Sequence, residues 1–543
     1  MRKIIVTGVV TAIVGVLIGL SLTPLVSSDN IYQLRQKFDH VFNMTYKNYV
    51  DEVDAEKLTE AAIQGMLEDL DPHSVYINAE KMKGVEEDFS GKFEGIGIQF
   101  DIINDTITVV SPIAGGPSEE LGIQAGDKIV KIDGEDAVKM ERDEVPKKLK
   151  GPKGTVVVVD IKRNDANDLL NFKIVRDEIP IYTVDASYIV PGTDIGVIAI
   201  NRFAATTHKE MMEAATTLKA EGMKRMILDL RGNPGGYLTQ AFYMADEFLG
   251  EGEMIVYTKS RRPEMDEEFP ATAGGSLEDI PLIVMVNAGS ASASEIVSGS
   301  VQDLDRGLVV GTTSFGKGLV QRQYPLPDGS AFRLTISRYY TPSGRCIQRP
   351  YDDKNDYRRL VGRLELEEGM NIEHALEKIK NNNEGEDKIE LDSIPMYETK
   401  NGRKVIGGGG ITPDYIVKSD TITHLSIKLR QNRVFYEYVS NSLNNGKNIP
   451  QEYQKDFTKF YNDFEVTDEM LADLRKLAES KDVEWDDKHF ETDKEFMKVE
   501  IKANIARGLW DRGKYIQVFS TVDKQMQTAL KLFPEAVKIA NLN

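Results

Sequence analysis

Leu282-Ile283-Val284-Met285-Val286-Asn287-Ala288-Gly289-Ser290-Ala291-Ser292-Ala293-Ser294-Glu295-Ile296 reads as a strand, a turn and the start of a helix. The apolar run Leu282–Val286 is too short for a helix and shows no alternation, the pattern of a strand covered on both faces. Small residues follow, and from Ser292 to Leu304 the apolar positions Val297, Val301 and Leu304 return at helical spacing. A buried strand feeding a helix is half of a βαβ unit, so a mostly parallel sheet is expected. The flanking sequence agrees. Ile195–Ile200 and Met226–Leu230 read as further strands, Thr207-His208-Lys209-Glu210 as a capping box that opens a helix, and Leu238–Leu249 as a second helix. This alternation runs from Ile179 to about Pro350.

Outside that stretch the texture changes. Residues 29–86 look helical, with Leu34, Phe38, Val41 and Phe42, then Leu58, Ala62, Met66 and Leu70, at three- and four-residue steps. Residues 87–177 consist of short β-rich runs separated by Gly, Pro and Asp turns, a small domain of their own. The α/β core occupies 178–350 and 405–419, interrupted by a charged insertion at 351–404; Gly407–Gly410 reads as a flexible joint. Residues 420–543 turn helical, with a capping box at Thr492–Glu495 ahead of Met497, Ile501, Ile505 and Leu509. At the other end, Ile4–Val26 is 23 residues without a charge, preceded by Arg2 and Lys3. At about 1.5 Å per helical residue that length matches a bilayer core. Residues 1–28 are therefore a signal anchor or a cleaved signal peptide, and either places the rest outside the inner membrane. The fold class is α/β multidomain: N-terminal membrane segment, helical N-terminal region, β-rich domain, α/β core with a mostly parallel sheet, helical C-terminal region.

Charge and cysteine content remove several functions. With 67 Lys and Arg against 87 Asp and Glu, the net charge is −20, and no basic residues are massed as a phosphate-binding surface, so nucleic acid is not an expected partner. A lone cysteine, Cys346, excludes an internal disulfide, a thiolate zinc site of two or more cysteines and a CxxC redox pair. No metal or cofactor is expected.

Three segments could carry chemistry. Ser292, at a helix start, has its hydroxyl near backbone N–H groups and the positive end of the helix dipole, although serines there are more often caps. Gly311-Thr312-Thr313-Ser314-Phe315-Gly316-Lys317-Gly318 nearly matches a P-loop, but Gly318 stands where the Mg²⁺-binding hydroxyl is required. Lys317, between glycines and ahead of Leu319 and Val320, could instead lose its proton to desolvation and act as a base. Asp229-Leu230-Arg231-Gly232-Asn233-Pro234-Gly235-Gly236 turns off a strand end, where its N–H groups could donate to an oxyanion. No histidine has the neighbours of a triad, so the base for a serine nucleophile falls to Lys317.

Together these segments resemble the carboxyl-terminal processing peptidases, or tail-specific proteases. The similarity begins at Leu70-Asp71-Pro72-His73-Ser74-Val75-Tyr76 and continues through Phe93–Ile98, Gly122–Ile129 and Gly151–Thr155. It takes in Leu228–Gly236, Ser290–Glu295, Gly316–Gln321 and Tyr340–Arg345, and ends at Gly410-Ile411-Thr412-Pro413-Asp414. The resemblance implies a Ser/Lys dyad with Ser292 as nucleophile, Lys317 as base and Gln321 orienting the amine. It implies oxyanion donors at Ala293 and at Gly235 or Gly236, with Ser290 and Ser294 as decoys in the same Ser-Ala repeat. It also implies that the β-rich domain is a PDZ domain whose Gly95-Ile96-Gly97-Ile98 loop holds a chain-terminal carboxylate. The expected protein is an exported, membrane-anchored serine endopeptidase of the cell envelope, facing the periplasm or another extracytoplasmic space, acting on proteins with free, apolar C-termini, with a homo-oligomer as one possible assembly. A lysine base must be uncharged, so a buried amine and activity rising through alkaline pH are expected. The rival is a catalytically inactive PDZ scaffold at the envelope. The insertion and the helical tail depart from the family pattern.

Overall fold

The computed structural model describes residues 30–113, 115–163, 166, 168–350, 395–444 and 449–542. The expected membrane segment, 4–26, and most of the insertion, 351–394, lie outside the described residues. No described helix is long and apolar enough to cross a membrane. The chain divides into one unit of Met1–Tyr76 with Phe332–Leu334 and another of Ile77–Ala331 with Thr335–Asn543. In the first, α1 (Ile31–Asn48) and α2 (Ala55–Glu68) are the two helices expected from the spacing. Asn30 and Asp54 cap them, accepting N–H bonds from Gln33 and from Glu56 and Lys57. α1 buries none of its residues, and Ile31, Leu34, Phe38 and Val41 are exposed.

The second unit opens with α3 (Ala79–Ser90) and a ribbon of Lys92–Gly95 against Asp177–Pro180, between whose strands the β-rich domain is inserted. That domain is an antiparallel sheet of β1 (Ile98–Ile103), β2 (Thr106–Pro112), β3 (Lys128–Ile132), β4 (Val156–Lys162) and β5 (Leu170–Val175), in that order, with helix α4 (Glu144–Leu149). Period-two alternation sends Val157, Val159 and Ile161 inward to meet Ile107, Ile129 and Ile132. β1 is an edge strand.

The α/β core follows with β6 (Val184–Ile189), β7 (Ile195–Ile200), α5 (Thr207–Ala220), β8 (Arg225–Asp229), α6 (Leu238–Asp246), β9 (Leu282–Val286), α7 (Ala293–Asp303), β10 (Leu308–Gly311), β11 (Leu319–Pro325) and β12 (Tyr415–Ile416). The sheet order is β6-β7-β8-β9-β10-β12, antiparallel at β6 and parallel elsewhere. The unbroken apolar strands are explained by two covered faces. Ile198, Leu228, Val284 and Val309 face α5, α6 and α7. Ile195, Ile227, Ile283, Met285 and Val310 face the other way.

What covers that second face is the end of the chain. After α8 (His424–Gln431), α9 (Val434–Asn444), α10 (Phe457–Asp463), α11 (Asp468–Ser480) and α12 (Asp487–Leu509), which share their own core around Phe435, Phe460, Leu474 and Ile501, come α13 (Arg512–Phe519), α14 (Lys524–Ala529) and α15 (Phe533–Ile539). Met526, Ala529, Phe533 and Ala536 seal the sheet. Arg231 fastens them to the β8 loop, pairing with Asp523 at 2.7 Å and donating to Gln525 Oε1 at 2.9 Å.

Three expectations fail. Glu210 does not cap α5. Its carboxylate accepts from the N–H groups of Thr183 and Val184 and from Thr206 Oγ1, so tertiary partners outcompete the local one. Thr492 lies inside α12, which Asp486 caps by accepting from His489 N–H. Gly407–Gly410 is no loose joint: the N–H groups of Gly407, Gly408 and Gly410 bond to Pro395, Cys346 and Ile347 carbonyls. Residues Met396–Glu398 and Lys404–Ile406 form a hairpin there, and Arg403 pairs with Asp305 and Asp414.

Candidate active site

The loops after β8, β9 and β10 leave the carboxyl edge of the parallel strands, where open α/β sheets hold ligands. They carry the three segments singled out in the sequence. Asn233 knits the first two: its side chain donates to Ile200 O (3.0 Å) and accepts from Gly235 N (2.9 Å), and its carbonyl accepts from Ala291 N (3.0 Å) and Ser294 Oγ (2.9 Å).

The serines separate cleanly. Ser290 and Ser294 are fully buried, with hydroxyls donating to the Leu230 and Asn233 carbonyls. Ser292 is partly exposed and has φ 54° and ψ −109°, a conformation costing on the order of 1–3 kcal/mol for a residue with a Cβ. Such strain needs surroundings that impose it. One is Gly235, in a left-handed conformation (φ 95°): a Cβ there would meet Ser292 Cβ at 2.8 Å and Ala293 N at 2.9 Å.

The other is Glu295, three residues into the helix. It is completely buried, and its carboxylate accepts from Ser292 N (2.7 Å), Ser314 Oγ (2.5 Å), Gly316 N (2.6 Å) and Lys317 N (2.9 Å). Burial pushes this carboxyl above its ordinary range, and the four donors pull it back. Because one oxygen accepts from both Ser292 and Lys317, the two backbones stand within about two hydrogen-bond lengths. The signal was visible as S-x-x-E over Ser292–Glu295. Tyr339, also buried, closes the other side, donating to Lys317 O at 2.7 Å with Ser292 O at 3.1 Å. Burial pushes its phenol up, so it stays a donor.

Lys317 is half-buried rather than fully buried, with Nζ donating to Gln321 Oε1 at 2.7 Å. The N–H groups of Gly316 and Lys317, which a phosphate would require, are spent on Glu295, so the P-loop reading has no cradle. Of the two glycines offered as oxyanion donors, Gly235 N–H is occupied by Asn233, whereas Gly236 N–H and Ala293 N–H meet no partner among the described residues. No histidine hydrogen-bonds to Ser292 among the described residues; His208 pairs with Glu247 and His489 with Asp486.

In the β-rich domain, Gly95, Ile96 and Gly97 are buried and Ile98 half-buried. The carbonyls of Ile96 and Gly97 accept from Ser118 and Ile113 N–H, while their own N–H groups have no partner among the described residues. This leaves a pair of N–H donors without a partner among the described residues at the start of an open-edged strand, where a carboxylate could be held.

Comparison with known families and proteins adds the following. The family Peptidase family S41 matches residues 194–353, a PDZ domain matches 108–163, the Activating protease CtpB N-terminal domain matches 25–81, and a family of unknown function (DUF8443) matches 425–511. A Carboxy-terminal-processing protease of Bartonella bacilliformis is 40% identical over 350 residues, 63% of this chain and 80% of its own length. A Probable CtpA-like serine protease of Staphylococcus aureus is 35% identical over 347 residues, 63% of this chain and 68% of its own. Carboxy-terminal processing protease CtpB of Bacillus subtilis is 34% identical over 352 residues, 63% of this chain and 73% of its own.

Proposed function

The chain belongs to the carboxyl-terminal processing peptidases of family S41, serine-type peptidases that act at C-termini, and from that premise we propose a mechanism resting on Ser292 and Lys317. Uncharged Lys317, oriented by Gln321, takes the Ser292 proton as Oγ attacks the peptide carbonyl carbon. Ala293 and Gly236 N–H donate to the oxyanion that develops. The lysine ammonium then protonates the leaving amine as the C–N bond breaks, and water, activated by the same amine, hydrolyses the acyl-enzyme. The single observation that carries this reading is the Glu295 carboxylate shared by the Ser292 and Lys317 backbones. Upstream of the chemistry, the Gly95–Ile98 loop holds the substrate's terminal carboxylate and β1 pairs with its last residues. Amidation of the C-terminus of an unfolded substrate is expected to abolish its cleavage; equal cleavage of acid and amide would remove the tail-capture step.

Residues 4–26 would hold the enzyme in the inner membrane with its catalytic part in the periplasm, on the strength of their uncharged length and basic flank. Replacing them with a cleavable signal peptide should move the protein from the membrane to the soluble periplasmic fraction; an unchanged distribution refutes the anchor. Self-association would use the exposed apolar side chains of α1.

A further inference from the structure

The 425–511 region, which matches a family of unknown function, stands against the open edge of β1 through Arg433. A cavity of about 490 Å³ separates them, lined on one side by Ile98, Gln99, Phe100 and Asp101 and on the other by Arg430, Arg433, Arg507 and Glu500. Arg142 of the PDZ domain completes its wall. In a protein of net charge −20, this pocket carries four arginines against two carboxylates. Arg430 is committed to Glu500 at 2.6 Å, and Arg142 and Arg433 to Asp101. Arg507 has no hydrogen-bond or ion-pair partner among the described residues.

The register of β1 says which part of a bound tail would meet these charges. Asn104 and Asp105 both have positive φ (49° and 60°) in the two-residue turn that joins β1 to β2, so Ile103 and Thr106 form the closing hydrogen-bonded pair. Counting back by twos, Ile103 and Asp101 direct their backbone groups to β2, and Ile102, Phe100 and Ile98 direct theirs to the open edge. At Ile102 that edge is closed: Arg433 donates to its carbonyl at 3.2 Å and Asp101 Oδ1 accepts its N–H at 2.9 Å. A tail with its carboxylate at the Gly95–Ile98 loop therefore has room opposite Ile98, Gln99, Phe100 and Asp101. The side chains of Ile98 and Phe100 pack on the PDZ core, so the residues opposite them, last and third from last, face apolar surface. Residues opposite Gln99 and Asp101, second and fourth from last, face the other side, where Asp101 meets Arg142 and Arg433.

We propose that the 425–511 region is the second wall of the tail-binding groove, and that its Arg507 selects substrates with acidic side chains second and fourth from the C-terminus. The inference rests on the tail-capture reading above and adds to it a charge preference and a four-residue limit.

The test uses the purified full-length Ser292→Ala protein and fluorescein-labelled peptides with an apolar last residue, read by anisotropy. Asp or Glu at the second and fourth positions should bind at least about 10-fold tighter than Asn or Gln there, the worth of one charge-assisted bond. Moving the acid to the third position should lose that gain. Arg507→Gln should erase the preference, and Arg507→Lys should retain most of it. Binding of the neutral peptide by Arg507→Gln serves as the check that the groove is intact. Equal affinity for acidic and neutral tails, or a preference that survives Arg507→Gln, overturns the proposal. Amidated peptides that bind as well as free acids would instead overturn the underlying capture reading.

Discussion

Glu295 is the residue on which the site's geometry turns, and its replacement can be worked through bond by bond. Oε1 accepts from Ser314 Oγ and Gly316 N, and Oε2 from Ser292 N and Lys317 N. In Glu295→Gln the amide oxygen can keep the Ser292 and Lys317 pair, and the Ser314 hydroxyl can turn to accept from the new amine. Gly316 N–H then faces a donor. One buried donor left unpaired costs about 1–3 kcal/mol, so a loss near 2 kcal/mol is expected. The loop carrying Lys317 shifts with Gly316, and a displacement of order 1 Å can cost about 10²-fold in kcat. Glu295→Ala removes all four acceptor contacts; a loss of at least about 4 kcal/mol and turnover reduced to background are expected. Denaturant midpoints and kcat on an unfolded, tail-bearing substrate measure both. Glu295→Ala within threefold of wild-type turnover, at an unchanged midpoint, would refute the clamp. The pH dependence has a definite sign. Burial raises this carboxyl's folded pKa above its unfolded value, so its contribution to stability is complete below the unfolded pKa and declines as pH rises through the folded one. The wild type's advantage over Glu295→Gln should therefore grow as pH is lowered from neutral toward the ordinary carboxylate range.

Gly235→Ala should lower kcat by about 10²-fold or more with little change in KM, because its Cβ would stand 2.8 Å from Ser292 Cβ and 2.7 Å from Ala291 O; steady-state kinetics decide. Gln321 positions the lysine amine at 2.7 Å. Gln321→Glu would favour the ammonium and should move the pH–rate profile to higher pH by about one unit or more, whereas Gln321→Ala should lower kcat without that displacement. Arg345 is fully buried on Asp303 at 2.6 Å and also donates to Gln302 Oε1 and Ile406 O. Arg345→Met should cost about 3–5 kcal/mol, read as a lowered denaturation midpoint, since Asp303 would stay buried without its counter-charge.

Much of the framework was legible because it depends on local periodicity. Ile195–Ile200 and Leu282–Val286 match their observed strands residue for residue, since a strand covered on both faces leaves an uninterrupted apolar run. Capping was misread where a more distant partner won, as when Glu210 turns to Thr183 and Val184. In α12 the start was missed by about two turns because the residues after Asp487 are mostly polar and exposed. The Ser292 register, fragile within a Ser-Ala repeat, is separated in space by burial of Ser290 and Ser294. That Gly235 N–H is occupied while Gly236 N–H meets no partner among the described residues depends on one side chain, Asn233, whose reach no spacing announces. Likewise, no local pattern shows that α14 and α15 cover the sheet or that Arg433 reaches the PDZ edge.

The central claim is that Ser292 and Lys317 perform the cleavage. Wild type, Ser292→Ala and Lys317→Ala, each confirmed to be folded, should be incubated with an unfolded protein ending in a free apolar C-terminus, and the products followed by mass spectrometry. The account predicts cleavage by the wild type and intact substrate with either variant. Turnover at the wild-type rate by either variant would contradict it.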